Sequence, residues 1–207
     1  MYKHVKQIVQ SGSAPEEAKQ ALIMLHGRGA SAESIMELAD QFNLDKTIIL
    51  APQATNSSWY PYSFMVPEEQ NQPALESAIE IIHGLVQDVM AMGIASEKIF
   101  FLGFSQGACL ALEYAGRNAT RYGGVIAYTG GLIGKDLKID SYKGDFSNTP
   151  FLITTGDPDP HVPVSRVEES VDLFKTLNAD VTLKVYQGRV HTILQEEIEL
   201  GRQLIFK

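Results

Sequence analysis

A Gly-x-Ser-x-Gly sequence at residues 103–107 joins an apolar, strand-like run to a helix-forming segment. A sharp strand-to-helix turn of this kind strains the serine backbone and projects the hydroxyl of Ser105 from the top of a sheet. The two glycines let neighbouring backbone approach without a Cβ clash. The first N–H groups of the helix point to the place where negative charge would develop on a reacting oxygen. The pattern therefore predicts a nucleophilic serine in an α/β fold.

Short β-rich runs alternate with helical patterns along the 207-residue chain. We predict strands at residues 5–9, 21–25, 47–51, 99–104, 124–128, 151–155 and 182–186. We predict helices at residues 32–42, 73–92, 105–117, 165–177 and 192–206. Several strand runs are apolar throughout, which is typical of parallel strands covered on both faces. The alternation predicts one α/β domain over residues 1–207, with a mostly parallel central sheet and helices on both faces.

Charge and composition exclude several classes of partner. The formal net charge is −8 at pH 7 and no cluster of five or six Lys or Arg residues is present, which argues against nucleic acid. No apolar run approaches the ~18 residues that a membrane span requires, and no signal peptide is recognisable, so we expect a cytoplasmic protein. The single cysteine, Cys109, cannot form an intrachain disulfide, and its apolar neighbours indicate a small core residue.

A serine nucleophile needs a base and an acid that orients it, which on this scaffold follow the serine in the order Asp or Glu, then His. Only His161 and His191 follow Ser105. His191 comes just after the last predicted strand and is the predicted base. Asp159 lies in the loop after the preceding strand and is the predicted acid, with Asp157 as an alternative better suited to capping a turn. His161 shares the loop of the acid, and we expect it at the rim of the site or exposed.

Residues 26–29, His-Gly-Arg-Gly, follow the second predicted strand, as does the early loop that supplies an oxyanion donor in lipases and esterases. We predict the backbone N–H groups of Arg28 and Gln106 as the two donors. His26 precedes the nucleophile and is expected to tie down its loop by hydrogen bonds. The side chain of Arg28 either faces the site, where it would favour an acidic substrate, or points to solvent.

Two long segments, residues 53–72 and 130–149, interrupt the alternation at the carboxyl ends of strands, where open α/β sheets bind ligands. Trp59, Tyr60 and Phe64 in the first segment either form an apolar substrate wall or pack the loop onto the domain. No His-Glu-x-x-His motif, paired cysteines or close acidic cluster is present, so neither a metal nor another cofactor is expected.

These motifs resemble the phospholipase/carboxylesterase family of α/β-hydrolases, which includes bacterial carboxylesterases and acyl-protein thioesterases. The likeness is carried by residues 25–29, 103–108, 156–163 and 188–191, which occur in the order of the family. The resemblance implies a catalytic triad of Ser105, Asp159 and His191 and backbone oxyanion donors at Arg28 and Gln106. It also implies a hydrolase without a separate lid domain that frequently forms homodimers.

The resemblance further implies a serine esterase that cleaves small carboxylic esters through an acyl-enzyme intermediate. Arg28 stands where the thioesterases usually have an apolar residue, and residues 56–64 look more like the bacterial esterases. Small soluble esters are therefore favoured over acylated proteins. An acyl-thioesterase, a lysophospholipase, a dienelactone-type or carbon–carbon bond hydrolase and a non-catalytic relative that binds a small ligand remain as alternatives. The complete Ser, Asp and His set disfavours the last of these.

Overall fold

The computed structural model describes residues 2–206 of the chain. These residues form an α/β fold around a seven-stranded sheet. The strands are β1 Ile8–Gly12, β2 Gln20–Leu25, β3 Thr47–Pro52, β4 Ile99–Phe104, β5 Gly124–Tyr128, β6 Pro150–Asp157 and β7 Asp180–Gln187. Their order across the sheet is β1-β3-β2-β4-β5-β6-β7. β1 runs antiparallel to β3, and the other neighbouring strands are parallel. The predicted mostly parallel sheet is confirmed.

Helices cover both faces of this sheet. They are α1 Ala32–Met36, α2 Ala74–Ala91, α3 Gln106–Arg117, α4 Val164–Thr176 and α5 Gln195–Leu204. Residues of α2, α3 and α4 pack in the larger hydrophobic core on one face, and residues of α1 and α5 pack in a smaller core on the other. Successive strand residues supply the two cores in alternation, because neighbouring side chains of a strand point to opposite faces. In β2, Ile23 joins the larger core, and Leu22 and Met24 join the smaller one.

The first strand begins later than its sequence indicates. The expectation of a strand at residues 5–9 is wrong, because β1 spans Ile8–Gly12 and pairs along its whole length with β3. The side chain of Val5 is 67% exposed, and its N–H donates to Oγ1 of Thr55 rather than to a neighbouring strand. The N-terminal part of the predicted strand therefore lies outside the sheet, where Thr55 binds it.

Two predicted helices are shorter than expected. α1 ends at Met36, and a 3₁₀ turn at Glu37–Gln41 replaces the rest of the predicted helix at residues 32–42. The N–H of Phe42 donates to the carbonyl oxygen of Ala39, three residues back, so the apolar spacing of the sequence is kept in a tighter turn. α5 begins at Gln195 rather than at residue 192.

The parallel strands bring their carboxyl ends to one edge of the sheet. The loops that follow β2, β4, β6 and β7 at this edge carry the predicted site residues. The long segments 53–72 and 130–149 follow β3 and β5 at the same edge, and the N–H of Gly134 donates to the carbonyl oxygen of Phe64 over 2.7 Å. Within residues 2–206, every helix is too short or too polar to cross a membrane.

Candidate active site

Ser105 occupies a strained backbone conformation between β4 and α3. Its φ of 53° and ψ of −118° lie outside the regions that residues with a side chain normally adopt. A Cβ added at Gly103 would lie 2.4 Å from the carbonyl oxygen of Gly107, and one added at Gly107 would lie 2.0 Å from that of Leu25. Both glycines are therefore required by close backbone approach, which holds the turn against the end of β2.

A continuous hydrogen-bond chain connects the three residues predicted as a triad. His191 Nε2 lies 2.8 Å from Oγ of Ser105, and His191 Nδ1 lies 2.8 Å from Oδ2 of Asp159. The second carboxylate oxygen of Asp159 accepts the backbone N–H groups of His161 and Val162, each over 2.9 Å. Burial alone would raise the pKa of Asp159, but the hydrogen bonds from His191 and these two N–H groups lower it below its ordinary value. The carboxylate is therefore stabilised in its charged form beside the imidazole.

The structure brings Asp159, rather than Asp157, to the histidine. Asp157 Oδ2 instead accepts a hydrogen bond of 3.2 Å from the side-chain amide of Gln187. The imidazole of His191 lies between two rings, with the ring of Phe104 at 5.2 Å and that of His161 at 5.0 Å. His161 is exposed, and its ring stands nearly perpendicular to that of His191.

The loop of residues 26–29 lies beside the serine. A Cβ added at Gly27 would be 3.5 Å from Cβ of Ser105. Within residues 2–206, the backbone N–H groups of Arg28 and Gln106 have no hydrogen-bond acceptor. Gln106 is the first residue of α3, where N–H groups lack an intrahelical partner. These two unpaired N–H groups, one next to Gly27 and one next to Ser105, stay the predicted oxyanion donors.

His26 holds this loop in place as a neutral imidazole. The N–H of Ala54 donates to Nε2 of His26 over 3.1 Å, so Nε2 carries no proton. Nδ1 then bears the proton and donates to the carbonyl oxygen of Gly27 over 2.7 Å. Burial lowers the pKa of His26, which agrees with the neutral form. His26 lies within the loop that it orients and does not contact the serine hydroxyl.

The structure separates Trp59 from Tyr60 and Phe64, for which the sequence leaves open either a substrate wall or packing of the loop onto the domain. The side chain of Trp59 is fully buried and does not line the cleft above the serine, because its indole N–H donates to the carbonyl oxygen of His26 over 2.8 Å. Trp59 therefore packs segment 53–72 onto the domain. Tyr60 and Phe64 do line the cleft. The side chain of Gln106 fixes this part of the segment by accepting the N–H of Trp59 over 3.0 Å and donating to the carbonyl oxygen of Tyr60 over 2.8 Å.

The cleft above Ser105 has a volume of about 670 Å³. Its lining also includes the thiol-bearing residue Cys109, whose side chain is almost completely buried. Burial raises the pKa of Cys109 to about 12, so the thiol stays protonated and is a poor nucleophile. Ser105 is therefore the better candidate for nucleophilic attack in this cleft.

Two residues that support the histidine loop were missed by the sequence analysis. Arg189, two residues before His191, donates to the carbonyl oxygen of Thr192 and to the carboxylate of Glu197 in α5. Glu197 in turn accepts the N–H of Leu194 over 2.7 Å. Arginine and glutamate are seldom buried, so no pattern in the sequence marks them as partners in a core.

A serine at a strained turn after the central strand β4, with helices on both faces of a mostly parallel sheet, defines an α/β-hydrolase fold. The family described as Phospholipase/Carboxylesterase matches residues 5–205. The chain belongs to the phospholipase/carboxylesterase family. The resemblance seen in the sequence motifs is thereby confirmed.

Several relatives and solved structures resemble this chain. A phospholipase/carboxylesterase from Dyadobacter fermentans is 57% identical, with a TM-score of 0.98 over 100% of this chain and 99% of its own. Acyl-protein thioesterase 1 of Kluyveromyces lactis is 26% identical over 92% of each chain. Acyl-protein thioesterase 1 of Gibberella zeae is 35% identical, but the match covers 56% of this chain and only 51% of that protein. The family and these relatives together support a hydrolase activity of the esterase or thioesterase type.

Proposed function

We propose that this protein is a carboxylesterase that cleaves small carboxylic esters through an acyl-enzyme intermediate. The observation that carries the proposal is the hydrogen-bond chain from Ser105 through His191 to Asp159, in which both contacts of the imidazole are 2.8 Å. A serine, a histidine and a carboxylate in this order make a weakly nucleophilic hydroxyl reactive at neutral pH.

The proposed reaction has two acyl-transfer steps. His191 Nε2 takes the proton of Ser105 as its Oγ attacks the ester carbonyl, and Asp159 holds the imidazole in the tautomer with a proton on Nδ1. The N–H groups of Arg28 and Gln106 donate to the oxyanion of the tetrahedral intermediate. His191 then protonates the departing alcohol. Water hydrolyses the acyl-enzyme by the same path, with His191 again as the base.

The lining of the cleft combines apolar and polar groups, which supports small esters as substrates. Beside the aromatic rings of Tyr60 and Phe64, it presents the polar side chains of Arg28, Ser63 and His161. A long fatty-acyl chain would gain more from a continuous apolar groove. Thioesters are the second candidate, because two relatives are named acyl-protein thioesterase 1. A comparison of kcat/KM on matched oxygen and sulfur esters of butyrate separates the two.

The proposal is tested with p-nitrophenyl acetate, butyrate and octanoate. Wild-type protein is expected to hydrolyse the short esters best, and Ser105→Ala and His191→Ala are each expected to lower kcat by about 10³-fold or more. A fluorophosphonate probe is expected to phosphonylate Ser105 of the wild-type protein with loss of fluoride, which adds the mass of the probe less HF, and to leave Ser105→Ala unmodified. Hydrolysis that survives in Ser105→Ala would overturn the proposal.

A matched pair of aspartates tests the role of the acid. Asp159→Asn is expected to lower kcat by about 10³-fold or more, because the amide favours the wrong imidazole tautomer. Asp157→Asn changes the same group two residues away, where the partner is Gln187 rather than His191, and is expected to keep nearly full activity. Equal losses in the two variants would contradict the assignment of Asp159.

A further inference from the structure

Arg28 brings a permanent positive charge to the lining of the cleft, whereas the carboxylate of Asp159 is buried behind His191 and does not line it. Among the described residues 2–206 that line the cleft, Arg28 has the one permanently charged side chain, and no aspartate or glutamate is present. This stands out in a chain with a formal net charge of −8. A cleft lined by charge of one sign raises the local concentration of ligands of the opposite sign.

The guanidinium is held in place by neutral groups. Its Nη1 donates to Oγ of Ser58 over 2.8 Å and to the carbonyl oxygen of Pro61 over 3.0 Å, and its Nη2 donates to the carbonyl oxygen of Tyr62 over 2.7 Å. Within residues 2–206 the side chain forms no ion pair with a carboxylate. The charge is therefore oriented without being neutralised.

Part of this guanidinium stays available to a ligand. An arginine side chain has five N–H donors, and the three contacts to residues 58–62 use three of them. Among the described residues 2–206, the Nε–H and the second N–H of Nη2 have no acceptor, and they lie on two nitrogens bonded to the same carbon. Arginine binds carboxylates through such pairs of donors.

The residue that carries this charge also has its backbone at the proposed reaction centre. The backbone N–H of Arg28 is one of the two proposed oxyanion donors, and the neighbouring Gly27 approaches Ser105 closely. The guanidinium lies 5.9 Å from the ring centre of Tyr60, which lines the same cleft. A substrate with its ester carbonyl at Ser105 thus has this cation within the same cleft.

We propose that Arg28 selects small esters that carry a carboxylate, such as half-esters of dicarboxylic acids, by binding that carboxylate. This inference rests on the proposed esterase activity and names its substrate class. A different use of Arg28 is purely structural, since its three hydrogen bonds also hold residues 58–62 against the loop of residues 26–29. The two uses differ in one respect, because only carboxylate binding depends on the charge of the substrate.

Two pairs of nearly isosteric esters test the proposal. On the acyl side, monomethyl succinate is compared with methyl succinamate, and on the alcohol side 4-acetoxybenzoate is compared with 4-acetoxybenzamide. Each pair differs by one carboxylate against one neutral amide. For at least one pair, wild-type protein is expected to show a kcat/KM about fivefold to tenfold higher for the anionic ester. This ratio is expected to shrink with added salt, because the cleft is open to solvent.

Two variants separate charge from structure. Arg28→Gln is expected to bring the ratio of anionic to neutral kcat/KM close to one, and Arg28→Lys is expected to retain part of the preference. Ser58→Ala removes one hydrogen bond from the guanidinium but leaves its charge, and is expected to keep the wild-type ratio. Equal losses on both esters in Arg28→Gln would overturn the inference and leave a structural role.

Measurements on the wild-type protein distinguish failure of this inference from failure of the proposed esterase function. Hydrolysis of the esters with no preference for the anionic member of either pair would overturn the inference and leave the proposed esterase function standing. Failure to hydrolyse any of the four esters or the p-nitrophenyl esters would overturn the proposed function, and this inference with it.

Discussion

Arg189 and Glu197 form a buried ion pair, in which Nη1 of the arginine lies 2.8 Å from both carboxylate oxygens. The two side chains are 2% and 0% exposed. The pair spans the loop that carries His191, because Arg189 precedes the histidine and Glu197 lies in the first turn of α5. Arg189 also donates to Oγ1 of Thr129 at the end of β5. One charged pair thus ties the histidine loop to both the sheet and the last helix.

Removal of one partner of this pair is expected to be costly. Arg189→Met leaves Glu197 buried without its cation, which typically lowers the free energy of unfolding by about 3–5 kcal/mol. For a chain of this size we expect the melting temperature to fall by roughly 6–20 °C. Thermal unfolding followed by circular dichroism measures the change.

The double variant Arg189→Met with Glu197→Leu serves as the control. It replaces both charges with apolar groups, and we expect it to be more stable than Arg189→Met alone, because no unpaired charge remains. A melting temperature of Arg189→Met within 1 °C of wild type would contradict the structural role given to this pair.

The elbow glycines are expected to tolerate no side chain. Gly107→Ala places a Cβ 2.0 Å from the carbonyl oxygen of Leu25, and because the obstacle is backbone it cannot move aside. We expect the free energy of unfolding to fall by about 3 kcal/mol or more and esterase activity to be lost. Gly84→Ala is the matched control, since open space surrounds this position inside α2, and it is expected to stabilise by about 0.5–1 kcal/mol. Urea unfolding of the two variants compares them directly.

The buried histidines predict how stability depends on pH. Burial lowers the pKa of His26 and His4 below 6.5. Below pH 6.5 the unfolded chain therefore binds more protons at these positions than the folded chain, and the free energy of unfolding falls as the pH drops. Each group contributes at most about 1.4 kcal/mol per pH unit.

Urea unfolding between pH 7.5 and pH 5 measures this dependence. His26→Gln is expected to show a shallower loss of stability than wild type, because one of the two buried imidazoles is gone. Parallel curves for wild type and His26→Gln would show that His26 does not resist protonation in the folded protein.

The architecture was predictable because it rests on local signals. Apolar runs and helical spacing are properties of neighbouring residues, and the order of serine, acid and histidine is that of the α/β-hydrolase scaffold. Asp159 was favoured over Asp157 because it lies further into the loop, where its carboxylate can reach the histidine. The contact of Asp159 with His191 agrees with this choice. The homodimer implied by the family resemblance stays a prediction, which light scattering of the purified protein tests.

Long-range side-chain partners were not predictable from spacing. Trp59 is in an aromatic-rich segment for which the sequence leaves two roles open. Its buried position involves hydrogen bonds to the carbonyl oxygen of His26, 33 residues earlier, and to the side chain of Gln106, 47 residues later. The side chain of Arg28 takes its direction from carbonyl groups more than 30 residues later. Such contacts depend on how two loops pack against each other at the edge of the sheet, and the periodicity of the sequence does not predict that packing.

A substitution at Gln106 can separate the role of its backbone N–H from the role of its side-chain amide. Its N–H is a proposed oxyanion donor, and its buried side chain binds the N–H of Trp59 and the carbonyl oxygen of Tyr60. Gln106→Ala keeps the backbone donor but leaves the buried N–H of Trp59 unpaired, at about 1–3 kcal/mol, whereas the carbonyl oxygen of Tyr60 keeps a hydrogen bond from Oγ of Ser58. We therefore expect a clear loss of stability and a raised KM, since Tyr60 in the wall of the cleft loses part of its support.

The effect on kcat decides between the two roles of Gln106. Loss of an oxyanion donor typically lowers kcat by about 10²–10³-fold, whereas Gln106→Ala is expected to lower it by less than about tenfold because the backbone N–H remains. Gln70→Ala, an exposed glutamine in the same long segment, is expected to change neither stability nor kinetics. A loss of kcat in Gln106→Ala as large as that of an oxyanion variant, with KM unchanged, would mean that the side chain acts on the transition state itself.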